Sequence, residues 1–176
     1  MLVIKPIIII IIVLSTLFIY GCASTSPKYQ KAKEEKIIKE KTIYKSYDVV
    51  WQNVVDWFAY HNSPIKTLDK SSGLIASEYN LTVEEANRHL NCGKTIKGQV
   101  DMYGQEFSKL KFENQKGNFN VLIKKLGEDS TRVIINFFSQ SELNQYKNTG
   151  QKVNSQKVTC YSKGTFENEI FNAISK

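Results

Sequence analysis

Apolar residues recur along this chain with two different spacings, and each spacing predicts a type of element. Residues 47–60 and 163–175 place apolar side chains three and four positions apart, which predicts an amphipathic helix in each segment. Pro64 ends the first helix, because a proline disfavours the helical conformation of the residue before it. Short strand-like runs predict strands at residues 42–45, 64–68, 74–81 and 107–113, and apolar and polar positions alternate at 119–125. Residues 132–139 are nearly all apolar and predict the most buried strand.

The order of these elements predicts an α+β fold class. We expect a single two-layer domain over residues 42–176, in which an antiparallel sheet is covered by a long N-terminal helix and a C-terminal helix. Residues 142–156 are polar and predict a loop before the last helix. Residues 83–90 predict one or two helical turns, which end at Cys92 and Gly93.

The N-terminus carries an apolar stretch from Pro6 to Tyr20, preceded by Lys5 and followed by Gly21 and Cys22. A positive start, an apolar middle and a small residue before the cut are typical of a secretory signal peptide. The alternative is a retained transmembrane helix, which needs about 20 apolar residues and therefore more than this stretch provides. Under either interpretation the rest of the chain is exported and tethered to a membrane.

The segment Ile19-Tyr20-Gly21-Cys22 resembles the lipobox of bacterial lipoproteins. The resemblance implies that residues 1–21 are a signal peptide removed before Cys22, and that the Cys22 thiol is acylated, with palmitate among the expected acyl chains. Ala23 follows the anchor. In the sorting rule of Gram-negative lipoproteins an aspartate at this place retains the protein in the inner membrane, so Ala23 implies the outer membrane, on its periplasmic face.

Residues 22–41 contain few apolar side chains, and we interpret them as a lipid-anchored polar linker. Two interpretations of its charge are open: a solvated linker, or a basic segment resting on anionic headgroups, to which each lysine contributes about 1 kcal/mol. The chain as a whole has a formal charge of +7. Its basic residues lack interleaved aromatic residues and the chain is exported, which argues against nucleic acid as a partner.

Cys92 and Cys160 are the two cysteines that remain besides Cys22. Paired cysteines in an exported domain usually form a disulfide. Closing the loop of roughly 70 residues between them would stabilise the fold by about 4 kcal/mol. The alternative is a metal ligand or a catalytic thiol, but neither cysteine has the CxxC or CxxH spacing of such sites. We therefore predict the disulfide.

The sequence offers little of the chemistry that enzymes use. It contains two histidines, His61 and His89. Glu85 precedes His89 by four residues, a spacing typical of a surface ion pair. The sequence lacks nucleophile-elbow, phosphate-loop and dinucleotide-binding patterns. We therefore expect a protein that is not an enzyme and has no catalytic residues, no metal site and no cofactor.

Two segments resemble known envelope lipoproteins. The pattern Ser46-Tyr47-Asp48-Val49-Val50-Trp51, followed by Pro64-Ile65 and Lys70-Ser71-Ser72-Gly73-Leu74-Ile75, is similar to the helix-grip domains of lipoprotein C of the outer-membrane β-barrel assembly machinery, over residues 42–81. Residues 160–167 resemble the start of the last helix in small lipoproteins of that architecture. The resemblance implies a helix-grip-like domain, in which a long helix lies against a curved sheet.

These observations predict a non-enzymatic, membrane-anchored lipoprotein of the bacterial cell envelope, acting as an accessory or docking component of an assembly or secretion complex. One alternative is a carrier that holds an apolar ligand in the helix-grip groove. Another is a structural lipoprotein that contacts the cell wall. The residues predicted to line the groove or the docking surface are Trp51, Phe58, Tyr79 and Phe137. The aromatic stripe of the first helix is more typical of a core than of a ligand site.

Overall fold

The computed structural model describes residues 26–98 and 102–176, which form nine strands and three helices. The strands are β1 (Lys28–Gln30), β2 (Glu40–Ile43), β3 (Ile65–Asp69), β4 (Leu74–Asn80), β5 (Leu90–Asn91), β6 (Lys94–Ile96), β7 (Ser108–Lys125), β8 (Thr131–Lys147) and β9 (Lys152–Ser162). The helices are α1 (Tyr47–Tyr60), α2 (Val83–His89) and α3 (Thr165–Ser175).

Seven of these strands build one antiparallel sheet. Its order is β3-β4-β7-β8-β9-β5, and β2 also pairs with β8, near the start of that strand. The other two strands, β1 and β6, pair with each other as a separate antiparallel sheet, which we call the N-terminal ribbon. Helix α2 follows β4 and leads into β5 at the opposite edge of the sheet, so the chain crosses over the sheet at this helix.

The predicted α+β fold with a long N-terminal helix over a small sheet is wrong. Strands make up 48% of the structure and helices only 22%, in three short helices. The difference arises mainly in β7, β8 and β9, which contain 18, 17 and 11 residues. The segment 142–156, predicted as a loop, is mostly paired strand, because backbone groups form ladder hydrogen bonds whether or not their side chains are apolar.

A β-bulge explains why the sequence of β7 suggests two short strands. Between Glu113 and Lys116, β7 contains one more residue than the facing part of β8. Asn114 sits in this bulge with a φ of 52°, a left-handed conformation that asparagine tolerates better than most residues. The extra residue inverts the alternation, so that Phe112 before the bulge and Phe119 after it face the same side of the sheet.

The bulge divides the long strands into two parts. The covered half comprises residues 116–125 of β7 and 131–139 of β8. The arm comprises residues 108–115 of β7, 140–147 of β8 and 152–159 of β9. Apolar side chains of the covered half are buried at every second position: Phe119, Val121, Ile123, Val133, Ile135 and Phe137.

Helices α1 and α3 cover this apolar face, and both lie close to the predicted positions. The ring of Phe166 on α3 lies 4.2 Å from that of Phe119 and 5.2 Å from that of Trp57 on α1, measured between ring centroids. Full burial of such a side chain stabilises the fold by roughly 1.5–3 kcal/mol. The core is therefore centred on aromatic contacts between two helices and the covered half.

The segment that we assigned to a polar linker contributes β1 and the start of β2. The Tyr29 hydroxyl donates to the carbonyl oxygen of Cys92 at 2.9 Å, and its ring meets the edge of Phe112 at 6.0 Å. Gly93 permits this close approach, because a Cβ there would lie 2.3 Å from the carbonyl oxygen of Gln30. The N-terminal ribbon is thus packed against the arm.

Candidate docking groove beside the arm

A groove of about 560 Å³ lies between helix α2, the turn joining β5 to β6, and the outer edge of the arm. Its apolar surface comes from Val83 and Ala86 on α2, Leu90 on β5, and Phe112 on β7. Ala86 and Leu90 are buried, whereas Val83 is 72% exposed. The groove is therefore open to solvent along the helix and closed toward the core. We call it the α2 groove.

Helix α2 is held firmly at both ends. At its start, the Thr82 hydroxyl accepts from the backbone N–H of Glu85, while the Glu85 carboxylate accepts from the backbone N–H of Thr82, a capping box. At its end, the Lys163 ammonium donates to the carbonyl oxygen of Asn87 at 2.6 Å, and the Thr165 hydroxyl donates to that of Arg88. One wall of the groove is thus fixed relative to α3.

The predicted disulfide between Cys92 and Cys160 is confirmed. It joins the turn after β5 to β9, across 68 residues of sequence. Cys160 is fully buried, and Cys92 forms part of the groove wall. The covalent link therefore fixes the second wall of the groove to the sheet.

The charge around the α2 groove is positive. Lys94, Lys111 and Lys163 line it, and no carboxylate does so among the residues that the structure describes. In the same part of the chain, none of these three lysines belongs to an ion pair. An apolar floor with a lysine rim favours a ligand that combines apolar and acidic groups.

The groove runs beside an open strand edge. Residues 108–113 of β7 pair with β8 on one side. On their other side, no strand within 26–98 or 102–176 pairs with them, since β4 joins β7 only from Lys116 onward. Such an edge presents backbone N–H and C=O groups that can pair with an added strand. Lys109 and Lys111 belong to this edge strand and are both exposed, and the Lys111 ammonium lies 5.5 Å from the centre of the Tyr146 ring on β8.

A hydrogen-bond network stiffens the arm behind that edge. The Glu113 carboxylate accepts from the Tyr146 hydroxyl and from the Asn144 side chain, each at 2.7 Å. The Ser155 hydroxyl donates to the other end of the Asn144 amide at 2.6 Å. These donors, Tyr146 first, lower the pKa of Glu113 below its usual value. Three strands of the arm are thereby linked through one carboxylate and one amide.

None of the four aromatic residues predicted to line a groove or docking surface lines the α2 groove, although Tyr79 and Phe137 each line a smaller pocket elsewhere. Trp51, Phe58 and Phe137 are buried, with 6%, 0% and 4% exposure, and belong to the core. Tyr79 is half-buried and stacks on Phe119, at 5.3 Å between ring centroids. The burial of Trp51 and Phe58 fits the interpretation that the aromatic residues of the first helix belong to the core.

Both histidines make structural contacts. The His61 ring stacks on Trp57 at 4.1 Å. His89 is buried against Phe166 and Phe137, and its Nδ1 lies 2.9 Å from the Thr165 hydroxyl. Burial lowers the pKa of His89, which favours the neutral ring.

The predicted lipid anchor lies outside the described residues, since Cys22 and the predicted signal peptide 1–21 precede them. Within the described ranges, no helix combines the length and the apolar character that crossing a membrane requires. The same ranges contain no group of three His, Cys, Asp or Glu side chains placed to hold a metal ion.

Sequence reasoning missed the α2 groove because its walls come from three separate segments of the chain, 83–94, 111–115 and Lys163. One signal was present: Lys109, Leu110, Lys111 and Phe112 alternate charged and apolar residues, as a half-exposed strand does. This alternation predicts the strand, but whether another strand pairs with each of its two edges depends on the sheet topology.

Comparison of the sequence with protein-family models and with curated proteins found no relative. No protein-family model matches the sequence, and no curated protein shows significant similarity to it. The likeness to lipoprotein C accordingly stays a prediction from short segments.

Proposed function

We propose that this chain is a non-enzymatic, lipid-anchored protein of the bacterial cell envelope that docks a partner protein by accepting an acidic strand along the arm. The partner belongs, in this proposal, to an envelope assembly or secretion complex. The acylated Cys22 holds the protein to the membrane, at the periplasmic face of the outer membrane if the bacterium is Gram-negative. The lipobox supports the anchor, and the α2 groove supports the docking role.

The observation that carries the docking role is an open strand edge beside a lysine-rimmed groove. An extended peptide added to a sheet edge gains main-chain hydrogen bonds, and pockets beside the edge select its side chains. The β7 edge at residues 108–113 offers the hydrogen bonds, and the α2 groove offers one apolar pocket next to them.

Charge restricts which strands can use this edge. Lysines on an exposed edge discourage pairing with arbitrary strands. Lys109 and Lys111 attract a strand that carries carboxylates at matching positions and repel a basic one. Specificity thus comes from repulsion of wrong partners as well as attraction of the right one.

Site-specific photocrosslinking in the native cells tests the docking role. A photoreactive phenylalanine analogue at Val83, in the groove, should give a discrete adduct with one envelope protein. The same analogue at Leu68, which is 54% exposed on β3 and level with Val121 in the covered half, serves as the control and should not. The crosslinked peptide should be an extended segment rich in Asp or Glu.

A matched pair of charge reversals completes the test. Lys109→Glu with Lys111→Glu should abolish the Val83 adduct. Lys124→Glu with Lys125→Glu reverses two exposed lysines at the far end of the same strand and should leave it intact. Adducts of equal yield at Val83 and Leu68 would contradict the proposal. So would a Val83 adduct that persists when Lys109 and Lys111 are both replaced by glutamate.

A further inference from the structure

The N-terminal ribbon has two unlike faces. In the antiparallel pairing of β1 with β6, Lys28 lies opposite Ile96 and Gln30 lies opposite Lys94. Since side chains alternate along a strand, these four residues share one face, and all four are exposed. Tyr29, between them, is on the other face, which packs against the arm. The outer face of the ribbon therefore presents two lysines and an exposed isoleucine.

Further exposed apolar residues follow β6 along the chain. Ile96 is 51% exposed, Met102 is 88% exposed and Phe107 is 54% exposed. Lys97 and Glu106 form an ion pair at 3.6 Å, which brings Phe107, the residue after Glu106, back toward the ribbon. A cluster of exposed large apolar side chains beside lysines is typical of a surface that enters the headgroup region of a bilayer.

The stretch of chain between Cys22 and β1 is short, which keeps this surface close to the anchor. Five residues lie between Cys22 and Lys28, and the six steps of fully extended chain that join them span roughly 20 Å. The ribbon is itself fixed to the domain through Tyr29 and Cys92. A lipid on Cys22 would consequently hold the outer face of the ribbon within a short distance of the bilayer surface.

We propose that the outer face of the N-terminal ribbon, which carries Ile96 and has Phe107 near it, rests on the anionic lipid surface in which Cys22 is anchored. The proposal depends on the lipid anchor of the proposed function and adds an orientation to it. Lys28 and Lys94 contact the headgroup phosphates, and Ile96 enters the boundary between headgroups and acyl chains. The domain is then held in one pose instead of rotating freely on a tether.

Quenching by brominated lipid tests this pose on the full acylated protein. Ile96→Trp introduces a reporter on the ribbon, and Leu68→Trp introduces a control at the far edge of the sheet. The two native tryptophans, Trp51 and Trp57, are buried in the core and give a constant background. In vesicles of brominated phosphatidylglycerol and phosphatidylcholine in equal parts, the Ile96→Trp signal should be quenched and the Leu68→Trp signal should not.

Lysine removal tests the role of charge. Each lysine near an anionic surface strengthens attraction about fivefold, so Lys28→Gln with Lys94→Gln in the Ile96→Trp background should lose most of the quenching. Lys124→Gln with Lys125→Gln is the matched control and should retain it. Vesicles of brominated phosphatidylcholine alone should quench the reporter weakly.

The outcomes separate this proposal from the proposed function. If the protein floats with the vesicles but Ile96→Trp is quenched no more than Leu68→Trp, the pose is overturned and the anchor stands. If the protein does not float, both the anchor and the pose are overturned. The docking role is tested separately by the Val83 crosslink, and neither outcome of that experiment changes the interpretation of the quenching result.

Discussion

The covered half and the arm share the long strands β7 and β8, to which the arm adds β9, yet they are stabilised in different ways. In the covered half, Phe119 and Ile135 are almost completely buried beneath α1 and α3. In the arm, residues 152–157 of β9 are all exposed, and polar side chains around Glu113 hydrogen-bond across the strands, with Leu143 and Val158 as the buried apolar residues. A strand can therefore extend well beyond the core that supports it, provided that its own backbone is anchored there.

The comparison also separates stability from binding. Side chains of the covered half are enclosed by helices and are not accessible to a partner. The arm leaves one strand edge and the α2 groove open, and few of its side chains are needed to hold the core together. Changes in the two parts should accordingly affect different measurements.

Truncating the aromatic core should give the largest effect. Phe119→Ala removes a ring that stacks on Phe137 at 4.4 Å and should lower the free energy of unfolding by about 3–5 kcal/mol. Phe112→Ala, in the arm, removes a half-buried ring and should cost clearly less. Urea denaturation of both variants measures the difference. Equal losses would mean that the arm is part of the core.

Removing the disulfide should give the next largest effect. Replacing both Cys92 and Cys160 with serine should lower the free energy of unfolding by about 4 kcal/mol, because the unfolded chain regains the entropy of an open loop. The same loss should appear when the unaltered protein is denatured in the presence of a reductant. A reductant that also destabilises the double serine variant would show that the loss has another cause.

Two carboxyl groups should give the covered half and the arm opposite responses to pH. Glu167 on α3 is fully buried, and desolvation raises its pKa above the usual 4.5, although the Ser162 hydroxyl donates to it at 2.6 Å. Its stabilising contribution is complete at low pH and is lost as the pH rises through that raised pKa. Glu167→Gln should remove this loss, measured as the urea midpoint at increasing pH.

Glu113 should behave in the reverse way. Its pKa is lowered, so its contribution is present above the usual value and is lost as the pH falls through the lowered one. The hydrogen-exchange protection factors of the arm amides, which correct for the slower intrinsic exchange in acid, should then fall at low pH while those of the covered half are kept. A simultaneous loss in both parts would contradict the distinction between them.

The smallest effect should come from a single hydrogen bond in the arm. Tyr146→Phe removes one of the two donors to Glu113 and should cost about 1 kcal/mol or less. It should also raise the pKa of Glu113, which NMR titration of that carboxyl would detect. An unchanged titration would mean that Tyr146 does not bond to Glu113 in solution.

Sequence reasoning succeeded where the pattern is local. The helical spacing of Val50, Trp51 and Val54 placed α1, and the even pair of cysteines placed the disulfide. It failed for the arm, because polar strands and polar loops have the same composition. At Asn114 it failed for a further reason. The bulge shifts the alternation of apolar and polar residues by one position, so that one long strand looks in the sequence like two short strands joined by a turn.

The candidate site was harder still to predict. Val83, Phe112 and Lys163 are far apart in the sequence and meet only through the sheet order and the crossing of α2. A sequence pattern reports which face of a strand is apolar, but it does not report whether a neighbouring strand is present. The edge of β7 is therefore a property of topology and not of any motif.

The Asn114 bulge also constrains how the arm can change over evolution. The part of the β7–β8 ladder beyond it, at the end away from the hairpin turn, can gain or lose residues in matched pairs, since an odd change turns the side chains beyond the change to the opposite face. Such paired insertions and deletions near Ser108 and Lys147 leave the bulge and everything behind it in register. The arm can therefore lengthen or shorten by pairs of residues during evolution, while the packing of the core stays the same.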